Sequence, residues 1–89
     1  MSKYQLVNYI DTWHTEDGWH INELFKEEIF IHLSDYTNEE EILNKLIDAE
    51  YLRPSVVLDD LDFWNDYNII EIYNKINGEP ICRLELVQQ

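Results

Sequence analysis

The tightest constraint on this chain is a pair of period-two apolar runs flanking an Asn-Gly dipeptide. One run, from Tyr67 or Asn68 to Ile76, carries Ile70 and Ile72. The other, Glu79 to Val87, carries Cys82, Leu84 and Leu86, and Asn77-Gly78 lies between them. Alternation of this kind buries one face of a strand, and Asn-Gly between two such runs marks a hairpin. Loop length then decides which residues share a face. A loop of Asn77-Gly78 alone pairs Ile76 with Glu79 and sets Ile70 and Ile72 opposite in facing to Cys82, Leu84 and Leu86. A loop of Ile76-Asn77-Gly78, with Gly78 left-handed, shifts the pairing and gathers all five on one face. It also aligns Lys75 with Glu79 and Glu71 with Arg83, opposite-charge pairs worth about 0.2–1 kcal/mol each. The longer loop is the predicted one.

The clearest helix signal precedes this hairpin. Thr37 or Asn38 is placed to cap an N-terminus, with Glu40 or Glu41 three residues on to complete a capping box. Glu39, Glu40 and Glu41 fall in the first turn, where the helix dipole favours negative charge. Ile42, Leu43, Leu46 and Ile47 form an apolar stripe. Pro54 disfavours helical geometry in the residue before it, so the helix ends by Arg53.

The N-terminal half reads as extended. Residues 4–13 (YQLVNYIDTW) are aromatic and β-branched and make a strand. The polar stretch His14 to Gly18 makes a turn, and Trp19 to Phe25 the return. From Glu28 to Leu33, Ile29, Ile31 and Leu33 alternate with Glu28, Phe30 and His32. Whether this is a separate strand or the bent end of the preceding one is open in the sequence. Ser55 to Leu58 is a short extended stretch. It runs into an acidic loop from Asp59 to Asp66, which Phe63 and Trp64 would anchor to the core. The resulting order, β-β-(β)-α-β-β-β, describes an α+β fold: an antiparallel sheet of four to six strands with one helix on one face. Residues 1–89 form one domain at this length.

From Tyr4 to Leu52 the chain resembles a group of small uncharacterised acidic proteins of phages and mobile elements of low-GC Gram-positive bacteria. The residues that carry the resemblance are Trp13, Glu16-Asp17-Gly18-Trp19 and Ile21-Asn22-Glu23-Leu24-Phe25. The alternating Glu28–Leu33 stretch and the helix start Thr37-Asn38-Glu39-Glu40-Glu41-Ile42 continue it. The resemblance implies a setting in mobile bacterial DNA, and no activity, cofactor or catalytic residue.

Charge narrows the function classes. Nineteen acidic residues against six Lys and Arg give a net charge of −13. Such a surface repels phosphate and anionic membranes, excludes direct nucleic-acid binding, and attracts basic partners. No stretch approaches the ~20 apolar residues of a membrane span. Met1-Ser2-Lys3-Tyr4 begins no signal-peptide core, so a cytoplasmic chain is expected. The single cysteine, Cys82, leaves no internal disulfide or CxxC motif, and its apolar strand pattern marks a small buried hydrophobe.

Catalytic motifs are lacking. The only two glycines, Gly18 and Gly78, stand far apart in the chain, so neither a P-loop nor G-x-G-x-x-G can be written. No G-x-S-x-G surrounds Ser34 or Ser55. His14, Glu16, Asp17 and His20 cluster at the predicted turn, but their spacing matches no metal motif. Asp59, Asp60, Asp62 and Asp66 lack the glycine and glutamate of a calcium loop. No catalytic, cofactor or metal residue is assigned, and a non-enzyme is expected.

The expected function is a small acidic protein–protein interaction protein. One version is a phage or mobile-element inhibitor or regulator that mimics nucleic-acid charge and binds a basic partner. Its contact residues would be Glu39, Glu40 and Glu41 on the helix and Asp59, Asp60, Asp62, Trp64 and Asp66 on the acidic stretch. The alternatives are a homo-oligomeric module, such as a homodimer paired at a strand edge and acidic only for solubility, and a small metal-binding protein.

Overall fold

Period-two apolar alternation becomes strands, and the 3.6-residue stripe becomes the helix. A computed structural model describes residues 1–8, 12–15, 18–21 and 26–88. In chain order the strands are β1 (Ser2–Asn8), β2 (Thr12–Thr15), β3 (Gly18–Ile21) and β4 (Lys26–Leu33), then β5 (Leu61–Asn65), β6 (Ile69–Asn74) and β7 (Pro80–Leu86). Helix α1 (Glu39–Asp48) and a 3₁₀ turn (Leu58–Asp60) lie between β4 and β5. Five strands form one antiparallel sheet in the order β4-β1-β7-β6-β5, with α1 packed on one face. This is the predicted α+β class.

The N-terminal half departs from the sequence reading. The expected strand over 4–13 is two strands in two different sheets, because β-propensity marks extended backbone without naming its partner. β1 belongs to the five-stranded sheet, whereas β2 pairs with β3, Thr12 opposite Ile21 through Thr15 opposite Gly18. Gly18 therefore stands in the returning strand instead of the turn. Residues 9–11, 16–17 and 22–25, with parts of the expected strand, turn and return, lie outside the described residues. The stretch over 28–33 is a strand in its own right, since β4 pairs with β1 in the main sheet. Its alternation holds: Ile31 and Leu33 are buried, and Glu28, Phe30 and His32 are exposed.

Asn38 is the helix cap, its side-chain oxygen accepting the Glu41 N–H at 3.1 Å. The predicted capping box closes differently. The Asn38 N–H donates to the Asp35 carbonyl (3.1 Å), while Glu41 turns its carboxylate toward the preceding loop. Ile42, Leu43 and Leu46 are buried and Ile47 is packed beside them. At the other end, the Tyr51 N–H reaches the Leu46 carbonyl (3.0 Å) and the Glu50 N–H the Ile47 carbonyl (2.9 Å). That is a Schellman termination, which needs one left-handed residue. Glu50 takes that position at φ 61°, where glycine is the usual occupant.

Beyond Pro54, the stretch expected over 55–58 is extended at Val57, while the Val56 N–H closes a turn onto the Arg53 carbonyl (3.0 Å) and Leu58 starts the 3₁₀ turn. The expected acidic loop is largely β5, the edge strand, paired with β6 from Leu61–Asn74 to Asn65–Ile70. The tight turn Asp66 to Ile69 joins them, so β6 begins at Ile69 rather than at Tyr67 or Asn68. Loop reading failed here because Asp at alternate positions resembles solvated chain. On an edge strand those positions face water.

The last hairpin has the predicted register by a different route. Ile70 faces Leu84, Glu71 faces Arg83 and Ile72 faces Cys82. The loop, however, is residues 75–78: the Asn74 N–H donates to Glu79 (2.8 Å) and the Gly78 N–H to Asn74 (2.7 Å). Gly78 is left-handed as expected, at φ 73°. Tyr73 then faces Pro80, and a bulge at Ile81 restores the pairing. Lys75 leaves the ladder and donates its N–H to the Asp60 carbonyl (3.0 Å), so the predicted Lys75–Glu79 pair does not form. Tyr51 caps the bulge, its hydroxyl donating to the Ile81 carbonyl at 2.9 Å.

The core lies between α1 and the sheet, with Tyr4, Leu6, Ile70, Ile72, Cys82 and Leu84 wholly buried on the sheet side. Tyr4 sends its hydroxyl to the Tyr67 carbonyl at 2.9 Å, satisfying its one polar atom at the core margin.

Two outcomes follow. Glu50→Gly removes the left-handed penalty and an acidic charge at the helix C-terminus, and should stabilise the fold by about 1 kcal/mol, read as a higher urea midpoint at unchanged slope. Full burial pushes the Cys82 thiol well above its ordinary range, so a thiol reagent should label it only after unfolding.

Candidate partner-binding surface

The residues singled out from sequence fall into two groups. Asp59, Asp60, Asp62, Trp64 and Asp66 lie on or beside β5, whose outer edge has no strand neighbour among the described residues. Residues two apart on a strand stand about 6.6 Å apart on the same face. Asp62 and Trp64 occupy such positions on the face away from the helix, while Leu61 and Phe63 turn to the core. Trp64 is 54% exposed and so does not anchor this segment to the core; Phe63 does, together with Leu61.

The flanking aspartates also shape the strand ends. Asp60 accepts the Val57 N–H at 3.1 Å and fastens the 3₁₀ turn. Asp66 accepts the Asn68 N–H at 3.1 Å and braces the β5–β6 turn. Each has a second carboxylate oxygen to offer. Asp59 and Asp62 are exposed.

The second group is at the helix start. Glu39 and Glu40 are exposed, but Glu41 is engaged within the chain. Its carboxylate accepts the Ser34 N–H (3.1 Å), the Ser34 hydroxyl (2.8 Å) and the Asp35 N–H (3.1 Å). The structure thus places Glu41 as a clamp on the β4–α1 loop. That loop reaches the end of β5, where the Asn65 side-chain N–H donates to the Tyr36 carbonyl (3.0 Å). The ring of Tyr36 meets that of Tyr67 edge-on, with centroids 5.6 Å apart. The helix start and Asp66 therefore share one end of the sheet, and Asp59 and Asp60 mark the other end of β5.

Sequence reading missed the apolar residues that accompany these acids. Val57, Tyr67 and Ile76 are 53%, 52% and 86% exposed, and all flank β5 or the loop hydrogen-bonded to its start. The signal was present for Ile76, which precedes the Asn-Gly turn where no strand can bury it.

On the face away from the helix, one row runs Trp64, Glu71, Arg83, Val7 from strand to strand. Arg83 pairs with Glu85 at 2.6 Å, and Tyr73 donates its hydroxyl to Glu71. Burial, with the Glu71 carboxylate beside it, pushes the Tyr73 phenol up to about 12. Glu71 and Glu85 on this face are thus engaged within the sheet, whereas Asp59, Asp62 and Asp66 on or beside β5 are exposed.

The described residues bring no three His, Cys, Asp or Glu side chains together in metal-binding geometry. The ladder sets His14 opposite Trp19 and His20 opposite Trp13, so the two histidines are not cross-strand partners; Glu16 and Asp17 lie outside the described residues. An open cleft of about 490 Å³ at the sheet end is lined by Lys3, His32, Tyr67, Asn68 and Leu86 among others, with no carboxylate or thiol in its wall. Among the described residues no helix is long and apolar enough to cross a membrane. Comparison with protein-family models, curated proteins and solved structures found no match.

Hydrogen bonds from Ser34, with Asp35 and Lys45 adding to them, hold the Glu41 carboxyl below the usual glutamate range. A folded value below the unfolded one stabilises the protein above the ordinary glutamate range, and that contribution is lost as pH falls through the folded value. Glu41→Gln should therefore lower the thermal midpoint by a few degrees at neutral pH. The gap between the two proteins should close as the solution is made acid.

Proposed function

We propose that this chain is a small acidic protein–protein interaction protein that binds a basic partner along the β5 rim. The observation that carries the reading is Trp64, an exposed indole between Asp62 and Asp66 on an edge strand. Tryptophan is enriched among the residues that supply most binding energy at interfaces, and it is the best ring for holding a Lys or Arg side chain. The carboxylates around it steer such a partner from a distance, and the net charge of −13 extends that field over the whole molecule.

The partner class that fits is a protein with a basic groove, such as a nucleic-acid-binding enzyme or regulator. Asp62 on β5, with Asp59, Asp60 and Asp66 beside its two ends, would imitate a run of phosphates, and Glu39 and Glu40 belong to the helix start at the same end of the sheet as Asp66. In the mobile-element setting implied by the sequence resemblance, such a protein is an inhibitor or regulator of host nucleic-acid machinery.

A pull-down with tagged protein from a low-GC Gram-positive lysate, washed at low and high salt, tests the reading. It should retain a basic nucleic-acid-binding protein that high salt releases. With that purified partner, Trp64→Ala and the double change Asp62→Asn, Asp66→Asn should each weaken binding by about tenfold or more. Capture that is indifferent to salt and to both variants, or no capture from any such lysate, would sink it.

A further inference from the structure

The opposite sheet edge, β4, differs in kind from β5. It is eight residues long, contains no proline, and among the described residues pairs with β1 alone. Its outward positions are Glu28, Phe30 and His32, and Phe30 is 45% exposed although Lys3 Nζ lies 4.2 Å from its ring centre. A long strand edge with an exposed aromatic at its middle is a template for another strand. The ladder irregularity against β1 falls between Phe30 and Lys26, and inward–outward alternation is intact from Glu28 to Leu33.

We propose that two copies of this chain pair through β4, antiparallel about a twofold axis at Phe30, joining their five-stranded sheets into one. The argument is self-complementarity. In an isologous contact residue i meets j and j meets i. An axis at Phe30 sets Phe30 against Phe30, and Glu28 of each copy against His32 of the other. On the helix side the same register sets Ile29 against Ile31. Every face then meets its like: ring on ring, carboxylate on imidazole, aliphatic on aliphatic. Neighbouring registers lose this. An axis at Glu28 opposes two carboxylates, and an axis at Ile31 sets Phe30 against His32 and leaves Glu28 without a cross-strand base.

This pairing goes beyond binding at β5, and salt separates the two. The charge of −13 on each copy opposes association, so added salt should tighten the dimer while loosening a basic partner. Sedimentation equilibrium across salt and protein concentration should show a dimer that strengthens with salt. Phe30→Glu, at an exposed position, should keep the thermal midpoint and raise the dimer dissociation constant at least about tenfold. Basic-partner capture and its Trp64 dependence should be untouched.

Register is read by cross-linking, since Cys82 is buried and does not compete. Opposed Cα atoms in an antiparallel pair lie about 4.5–5.5 Å apart, inside the disulfide range, so Phe30→Cys should cross-link with itself under mild oxidation. His32→Cys would lie about 13 Å from its mate and should not. A monomer under all conditions, a folded Phe30→Glu variant that still dimerises, or cross-linking at position 32 without position 30 would each overturn the proposal.

Discussion

The fold depends on the pairing of its first and last strands. β1 and β7 lie side by side near the middle of the sheet, Tyr4 opposite Leu86 through Asn8 opposite Cys82. Remove that seam and two local pieces remain: β4 paired with β1, and the meander of β5, β6 and β7. Neither piece buries both of its faces, and a two- or three-stranded piece is marginal alone. Joining them closes a loop spanning almost the whole chain, which costs entropy before any contact repays it. The return is a core row in which Leu6 meets Leu84 and Leu84 meets Ile70, all fully buried.

Once that seam forms, the helix has one place to go. β4 and β5 are the opposite edges, so the segment between them must cross the full width of the sheet. It does so with polar fasteners at each crossing. Glu41 clamps Ser34 and Asp35, Asn65 holds the Tyr36 carbonyl, and Tyr51 caps the bulge at Ile81. These contacts tie the crossover to the sheet without burying a charge, and among the described residues no polar or charged residue is buried. Glu71 and Glu85 stand on the inner strands, while the acids singled out from sequence lie at the helix start and on or beside edge strand β5. Glu41, Asp60 and Asp66 hold backbone groups at loop ends, and Asp62 and Asp66 beside Trp64 are exposed to solvent. Rigid support for an exposed indole between carboxylates is what lets a small domain present a defined acidic edge.

Much of this was legible from residue order because the signals were local. The helix stripe at Ile42, Leu43 and Leu46, the facing of Ile70, Ile72, Cys82 and Leu84, and the alternation over Glu28–Leu33 are all set by burial of one face, which periodicity reports directly. The cap at Asn38 and the left-handed Gly78 are local steric preferences. The errors share another origin. Residues 4–13 and the acidic stretch after Asp59 were misread because a strand's partner, or its position at an edge, leaves no mark in its own residues. The hairpin loop was misjudged because a bulge at Ile81 and a longer loop sum to the same register as a shorter loop without a bulge.

The candidate surface divides along the same line. Sequence alone determined that the chain is strongly acidic, that it has one amphipathic helix, and that its last hairpin buries the isoleucine and leucine face. Those properties belong to composition and short-range periodicity, and no rearrangement of strands alters them. Tertiary structure alone decided that β5 and β4 are the edges, that Trp64 faces solvent while Phe63 faces the core, and that Glu41 serves the fold. An edge exists only relative to neighbours, and those neighbours come from strands far apart in the chain.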